Sequence, residues 1–312
     1  MSKTKLKPFL KWAGGKSQLL EEIQKHYPCG LGTVIKKYAE PFIGGGAVFF
    51  DILNNYELEA LYISDTNAEL INVYSQIKDN VGKLLQMLNT FQGEYLPLDT
   101  ESRKEYYYAK RERFNTLKRE HSLTVETAAL FIFLNKTCFN GLYRVNSKGD
   151  FNVPMGAYKK PIICDIENLI NVSKALGKVT IVCADYKQSA TFADETTFAY
   201  FDPPYRPLNV TSSFNSYTEN DFDDEAQTEL AVYIQSLVDR GVYVVASNSD
   251  PKNTNPDDDF FDNLYKNLTI NRITANRMIN SNANSRGKIG ELLIFGNIKD
   301  KENEKKFCTM VG

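Results

Sequence analysis

Cysteine, histidine and tryptophan are all scarce in this 312-residue chain: five, two and one respectively. The cysteines at 29, 138, 164, 183 and 308 are odd in number, scattered, and form no Cys-x-x-Cys pair. Neither a zinc site nor a disulfide framework is therefore expected. His26 and His121 fall in no motif, so a general-base imidazole is not expected either. No apolar run approaches the length of a membrane span. Met1-Ser2-Lys3-Thr4-Lys5 lacks the apolar core of a signal peptide. With sparse cysteine, these absences set the expected compartment as a reducing cytoplasm.

An excess of charge of either sign is missing as well, since the formal net charge is −2. The average hides segregation. Arg103 to Arg119 holds seven Lys/Arg against two Glu, whereas Glu219 to Glu225 holds five acids and no base. Segregation of this kind allows a basic face on a neutral protein. A hydrophobic share of 42% and a charged share of 24% suit a globular chain of one large or two moderate domains.

What is present centres on Thr197-Phe198-Ala199-Tyr200-Phe201-Asp202-Pro203-Pro204-Tyr205. The apolar run reads as a buried strand, and the two prolines end it. Ligands of open α/β sheets sit at strand carboxyl ends. An acid, a stiff turn with accepting carbonyls and a flat ring suit alkylation of an exocyclic amine on a nucleobase. The amine lone pair is delocalised into the ring. Asp202 and the Pro203 carbonyl can each take one N–H and favour a tetrahedral nitrogen, while Tyr205 stacks on a base that has left the duplex.

Upstream, Trp12-Ala13-Gly14-Gly15-Lys16-Ser17 is not a Walker loop, because Leu10 stands where the first glycine belongs. The two glycines suit a tight turn near a ligand, with Ser17 as the cap of a helix from Gln18 to Tyr27. Thr33 to Pro41 reads as a strand feeding Phe42-Ile43-Gly44-Gly45-Gly46, followed by a helix from Ala47. A second strand, Ala60 to Asp65, ends in an acid about 20 residues on, the spacing at which a carboxylate binds ribose hydroxyls. Phe49 occupies the third glycine position of a dinucleotide fingerprint, which favours an adenosyl ligand without a pyrophosphate.

Residues 78–165 interrupt the alternation with helical patterns at Val81–Leu88, Arg103–Lys118 and Val125–Leu134. They end in a predicted hairpin of two short strands, Leu142–Asn146 and Asp150–Val153, with a basic tip. Such a ribbon fits a major groove, where an arginine can grip a guanine edge. Strands are expected again at Val179–Tyr186, Gly241–Ser249, Leu268–Ala275 and Ile289–Phe295, with a helix from Phe222 to Asp239. A polar loop follows Arg206. Arg277, Arg286 and Lys288 join the last two strands and suit phosphate contacts.

In order, Phe9-Leu10-Lys11-Trp12-Ala13-Gly14-Gly15-Lys16, Glu40-Pro41-Phe42-Ile43-Gly44-Gly45-Gly46, Asn140-Gly141-Leu142-Tyr143-Arg144, Phe151-Asn152-Val153-Pro154 and Asp202-Pro203-Pro204-Tyr205 resemble the Dam-type DNA adenine-N6 methyltransferases. The resemblance implies a doubly wound, mostly parallel α/β methyltransferase sheet with an inserted, mainly helical DNA-recognition domain carrying the hairpin. Residues 1–77 and 166–312 would form the S-adenosylmethionine-binding catalytic domain, and 78–165 the recognition domain. It implies methyl transfer from S-adenosyl-L-methionine to the N6 of a flipped adenine in GATC. Trp12, Lys16, Phe42, Gly44, Gly46, Asp65, Asp185 and Asp202 would hold the cofactor, with Asp202, Pro203 and Tyr205 catalytic. Lys11, Phe139, Asn140, Leu142, Arg144, Lys148, Pro154, Arg286 and Lys288 would meet double-stranded DNA. Asn209 and Ala157 stand where the family has Ser and Arg. The expectation is a cytoplasmic monomer with no metal, compatible with a partner restriction endonuclease. A different short site, cytosine N4 as acceptor, and a binding module without turnover are the alternatives.

Overall fold

A computed structural model describes residues 5–12, 14–206, 222–276 and 288–298. Seven strands form one sheet: β1 (Lys37–Glu40), β2 (Ala60–Asp65), β3 (Val179–Cys183), β4 (Thr197–Phe201), β5 (Tyr243–Ser249), β6 (Thr269–Asn276) and β7 (Lys288–Gly296). Their order is β3-β2-β1-β4-β5-β7-β6. β1 runs parallel to β2 and β4, and β4 to β5, while β7 is antiparallel to both β5 and β6. All of β4 is buried, which is why it reads as a continuous apolar run rather than an alternating one.

The helices are α1 (Leu20–Gln24), α2 (Ala47–Asn55), α3 (Ala68–Tyr95), α4 (Thr100–Arg119), α5 (Val125–Thr137), α6 (Ile166–Leu176), α7 (Asp224–Asp239) and α8 (Phe260–Leu264). The side chains of Asn67, Asp99, Thr124, Asp165 and Asp223 each accept a backbone N–H at the start of a helix. α3 continues through residues 77 and 78 and kinks at Asn80, where φ is −134°. Among the described residues no helix is long and apolar enough to cross a membrane.

Three expectations change. Ser17 caps no helix. It lies inside a 3-10 turn, Lys16–Gln18, whose Lys16 carbonyl already accepts the Leu19 N–H, and α1 starts without a side-chain cap. The hairpin closes its turn, with Asn146 N–H donating to Asp150 and Asn152 N–H to Arg144, but it forms only isolated bridges, such as Val145 to Phe151. Its second limb spends its backbone on α4 instead. Asn115 exchanges two hydrogen bonds with Phe151, and the Tyr107 hydroxyl donates to the Val153 carbonyl. Finally, Cys138, Cys164 and Cys183 are free thiols, whereas Cys29 is disulfide-bonded. Wide spacing carries no information on such a pairing, which depends on proximity in the fold.

The chain divides into two compact units, one of Met1–Gly15, Ile43–Asn55 and Ser64–Ala184, the other of Lys16–Phe42, Tyr56–Ile63 and Asp185–Gly312. In the first, α5 is buried almost all round, and Phe131 and Phe133 make ring contacts to residues of α3 and α4. In the second, the core lies along β1, β4 and β5, with Tyr38, Phe198, Tyr200 and Phe201 fully enclosed.

Candidate active site

In the second unit the strand order turns at β1 and β4, since β2 follows β1 on one side and β5 follows β4 on the other. A reversal of this kind opens a crevice beyond the strand carboxyl ends. β1 brings Phe42 there, half-buried and backed by Tyr186 (centroids 5.5 Å apart) and the edge of Phe222 (5.8 Å). β4 brings Asp202-Pro203-Pro204-Tyr205.

The Asp202 carboxylate is anchored through one oxygen. Oδ1 lies 2.8 Å from Lys16 Nζ and accepts from the Ser247 hydroxyl at 3.0 Å. Ser247 in turn is 3.0 Å from the Tyr200 hydroxyl. Lys16 is only 4% exposed, and its ammonium stands 4.6 Å from the Tyr205 ring centroid. The Pro204 carbonyl is taken by Gln227 Nε2 (3.0 Å), a fully buried side chain held by Asn248. Among the described residues no hydrogen bond reaches Oδ2 of Asp202 or the Pro203 carbonyl. Tyr205 donates its hydroxyl to Glu291 Oε2 at 2.7 Å. Burial, with Asp202 and Glu291 nearby, pushes this phenol far above its ordinary value, so it remains a donor. Asp185 is exposed and accepts the Lys187 N–H at the start of a 3-10 turn.

The first unit holds the glycine turn. Gly44 and Gly46 adopt φ of +44° and +70°, a region that favours glycine. The sequence suggests that these glycines admit a ligand. The space above Gly44 and Gly45 is filled by Trp12: a Cβ on Gly44 would lie 2.7 Å from Trp12 Nε1, and one on Gly45 2.7 Å from Trp12 Cβ. Asp65, ending β2, accepts from Gly44 N–H (3.2 Å) through one oxygen and from Asn67 N–H (3.0 Å) through the other. Burial raises its carboxyl above the ordinary aspartate value, and those N–H groups oppose the shift. Ser64 Oγ, one residue earlier, is buried with no hydrogen-bond partner among the described residues. An acid at a strand end, an adjacent orphan hydroxyl and a glycine turn fit the sugar of an adenosyl group.

The same unit gathers the expected DNA residues around one loop. Phe139 is 51% exposed beside Asn140, itself exposed at φ +54°. Arg144, Lys148 and Pro154 are exposed, and Leu142 is half-buried. Phe139 N–H donates to the Pro154 carbonyl. Asn152 Oδ1 accepts from Nε of the exposed Arg144 at 2.8 Å, a bond that does not use the terminal amines of the guanidinium. Lys11 joins the loop through the buried Asn135, and its ammonium lies 3.6 Å over the Tyr158 ring. Lys288 opens β7 opposite Asn276. Arg277, Arg286, Asn209 and the polar loop after Arg206 lie outside the described residues.

Part of the basic run on α4 is paired. Arg113 pairs with Glu126, Lys118 with Glu69, and Arg119 with Glu112 and Asp150, while Arg103 donates to backbone carbonyls. Ser247, Gln227 and Glu291 were not singled out from sequence. The signal available for the first was Ser247-Asn248-Ser249-Asp250, a polar stretch closing an otherwise β-branched strand, all of it buried.

The fold and these residues define an adenosyl-dependent transferase acting on an amine. A sequence profile described as D12 class N6 adenine-specific DNA methyltransferase matches residues 12–279, and the chain belongs to that family. It is 49% identical over 292 residues to the type II methyltransferase M.MjaIII of Methanocaldococcus jannaschii, covering 93% of this chain and 99% of that protein. Identity is 39% over 300 residues to the type II methyltransferase M1.LlaDCHI of Lactococcus lactis subsp. cremoris (95% and 98% covered). It is 35% over 289 residues to the DNA adenine methylase of Escherichia coli K12 (93% and 95%). The acceptor is thus adenine N6 in DNA rather than cytosine N4, and the methyl donor is S-adenosylmethionine.

Proposed function

We propose that the enzyme methylates the adenine of GATC in double-stranded DNA after that base has swung out of the helix to meet Asp202, Pro203 and Tyr205. The observation that carries this reading is the division of labour at the end of β4. Lys16 and Ser247 hold Asp202 through Oδ1, and Gln227 occupies the Pro204 carbonyl. Oδ2 and the Pro203 carbonyl are the acceptors that remain for the two N–H groups of an adenine amine. Two acceptors draw the nitrogen towards tetrahedral geometry and aim its lone pair. Bound S-adenosylmethionine supplies an electrophilic methyl group on a sulfonium. The ring of Tyr205 stacks on the base and offsets part of the few kcal/mol that unstacking costs.

Cofactor contacts are assigned to Trp12, Lys16, Phe42, Gly44, Gly46, Asp65, Asp185 and Asp202, with Asp65 and the adjacent Ser64 hydroxyl taking the ribose. Lys11 reads the outer guanine, and Arg144 with Leu142 and Pro154 the inner pairs. Phe139 fills the gap left by the flipped base beside Asn140, and its 51% exposure supports this role, since an exposed Phe contributes little to a core. Lys148, Arg286 and Lys288 meet the backbone. Residues 78–165 act as the recognition domain, and 1–77 with 166–312 as the catalytic one. The enzyme works as a cytoplasmic monomer. A restriction endonuclease of the same system is its partner.

The test is methyl incorporation into duplexes that differ from GATC at one base. Incorporation confined to GATC, with raised fluorescence of 2-aminopurine at the target position, is expected. Equal incorporation into altered sites removes the GATC assignment, and unchanged fluorescence removes flipping.

A further inference from the structure

Glu291 belongs to none of the motifs above. It stands near the start of β7, paired in register with Ser249 at the carboxyl end of β5, and β5 runs parallel to β4. An antiparallel β7 thus delivers the beginning of its own strand to the edge where β4 delivers its end. The Glu291 carboxylate meets the Tyr205 hydroxyl there, 2.7 Å from oxygen to oxygen.

The placement is costly for the fold. Glu291 is the only acid in Ile289-Gly290-Glu291-Leu292-Leu293-Ile294-Phe295, and the residues from Leu292 onward are buried. Burial raises its carboxyl above the ordinary glutamate value, opposed by Lys16 and the Tyr205 hydroxyl and aided by Asp202. A half-buried acid is a poor choice for strand stability. It is a good choice for a ring that must not turn. The hydroxyl of Tyr205 is held by Glu291, and the Lys16 ammonium lies 4.6 Å from the ring centroid, so two groups constrain the plane of the ring.

We propose that Glu291 is a positioning residue for methyl transfer, fixing through the Tyr205 hydroxyl the plane in which that ring meets the target adenine. This rests on the reading that Tyr205 stacks on the base.

The test is a set of variants assayed at saturating cofactor and DNA, each with its melting temperature. Glu291→Ala is expected to lower kcat about tenfold, with KM for DNA and melting temperature little changed, as misplacing a reacting group does. Glu291→Gln keeps an acceptor and should restore kcat to within about threefold of the parent. Tyr205→Phe should match Glu291→Ala, and the double variant should be no slower than Tyr205→Phe alone. Losses that add in the double variant overturn the proposal, as do rate losses in both Glu291 variants that merely track lost folding. Full activity in Glu291→Ala with a large loss in Tyr205→Ala overturns this inference alone. Full activity in Tyr205→Ala overturns the stacking reading and this one with it.

Discussion

The indole of Trp12 stacks on the ring of Tyr143, with 6.1 Å between centroids and 18° between planes, and the same indole lies against Gly44. Tyr143 stacks in turn on Phe131 of α5 at 5.2 Å, and its hydroxyl shares Glu69 with Lys118. The glycine turn therefore leans on an aromatic column rooted in the helical core of its own unit. Tyr143 falls between Leu142 and Arg144, so two residues proposed to read DNA share a support with the turn proposed to hold the cofactor.

Gly44→Ala should destabilise the protein by about 1–3 kcal/mol, from its φ of +44° and the close approach to Trp12 Nε1. Cofactor affinity should weaken with it, read by calorimetry. In a Trp12→Ala background the steric part disappears, so the extra cost of Gly44→Ala should shrink. Equal costs in both backgrounds would show that Trp12 is not what requires the glycine.

Asp202→Ala should abolish methylation, by about a hundredfold or more, because it removes an acceptor needed where charge develops on the amine. DNA binding, followed by fluorescence anisotropy, should stay within about threefold of the parent. Turnover that survives the substitution refutes the assigned role.

Lys16→Met keeps the stem and removes the ammonium 2.8 Å from Asp202. Asp202 is 23% exposed, so water screens part of the loss, and the stability cost should be about 1–3 kcal/mol rather than that of a fully buried pair. The rate should fall because the carboxylate can now rotate away from the amine. A variant with parental kcat would limit Lys16 to packing.

Asn135→Ala removes three hydrogen bonds that tie the backbone of Lys11 and of Gly141 together. Chemical denaturation should show a loss of about 2–3 kcal/mol, since buried backbone groups are left unpaired. Discrimination between GATC and altered duplexes should decline as well, because Lys11 and the hairpin root lose their common anchor.

Arg144→Ala should relax sequence preference by about 1–3 kcal/mol at one base pair, as expected for a bidentate guanine contact. Lys148→Ala at the tip should weaken all sequences alike and flatten the salt dependence. Equal losses on cognate and altered duplexes for Arg144→Ala would remove it from base readout.

Much of the architecture was legible because local signals were strong. β2 occupies Ala60–Asp65 as its apolar run and terminal acid suggest, and α4 and α5 lie where helical patterns were read. The hairpin was read with too much strand in it, because its second limb pairs with Asn115 and Tyr107, and no periodicity within the limb records those partners. The pairing within the basic run of α4 was hidden for a similar reason: Glu69, Glu126 and Asp150, which meet Lys118, Arg113 and Arg119, come from elsewhere in the chain.

By itself the sequence determined most of the sheet strands and long helices, the order of the motifs, and hence the family and its reaction, since each of these rests on residues adjacent in the chain. Only the tertiary structure decided which groups hold the side chains proposed to react. Asp202 finds Lys16 and Ser247, Tyr205 finds Glu291, and Gly44 faces Trp12. Those partners are brought together by strand order and sheet register, and distance along the chain carries no record of either.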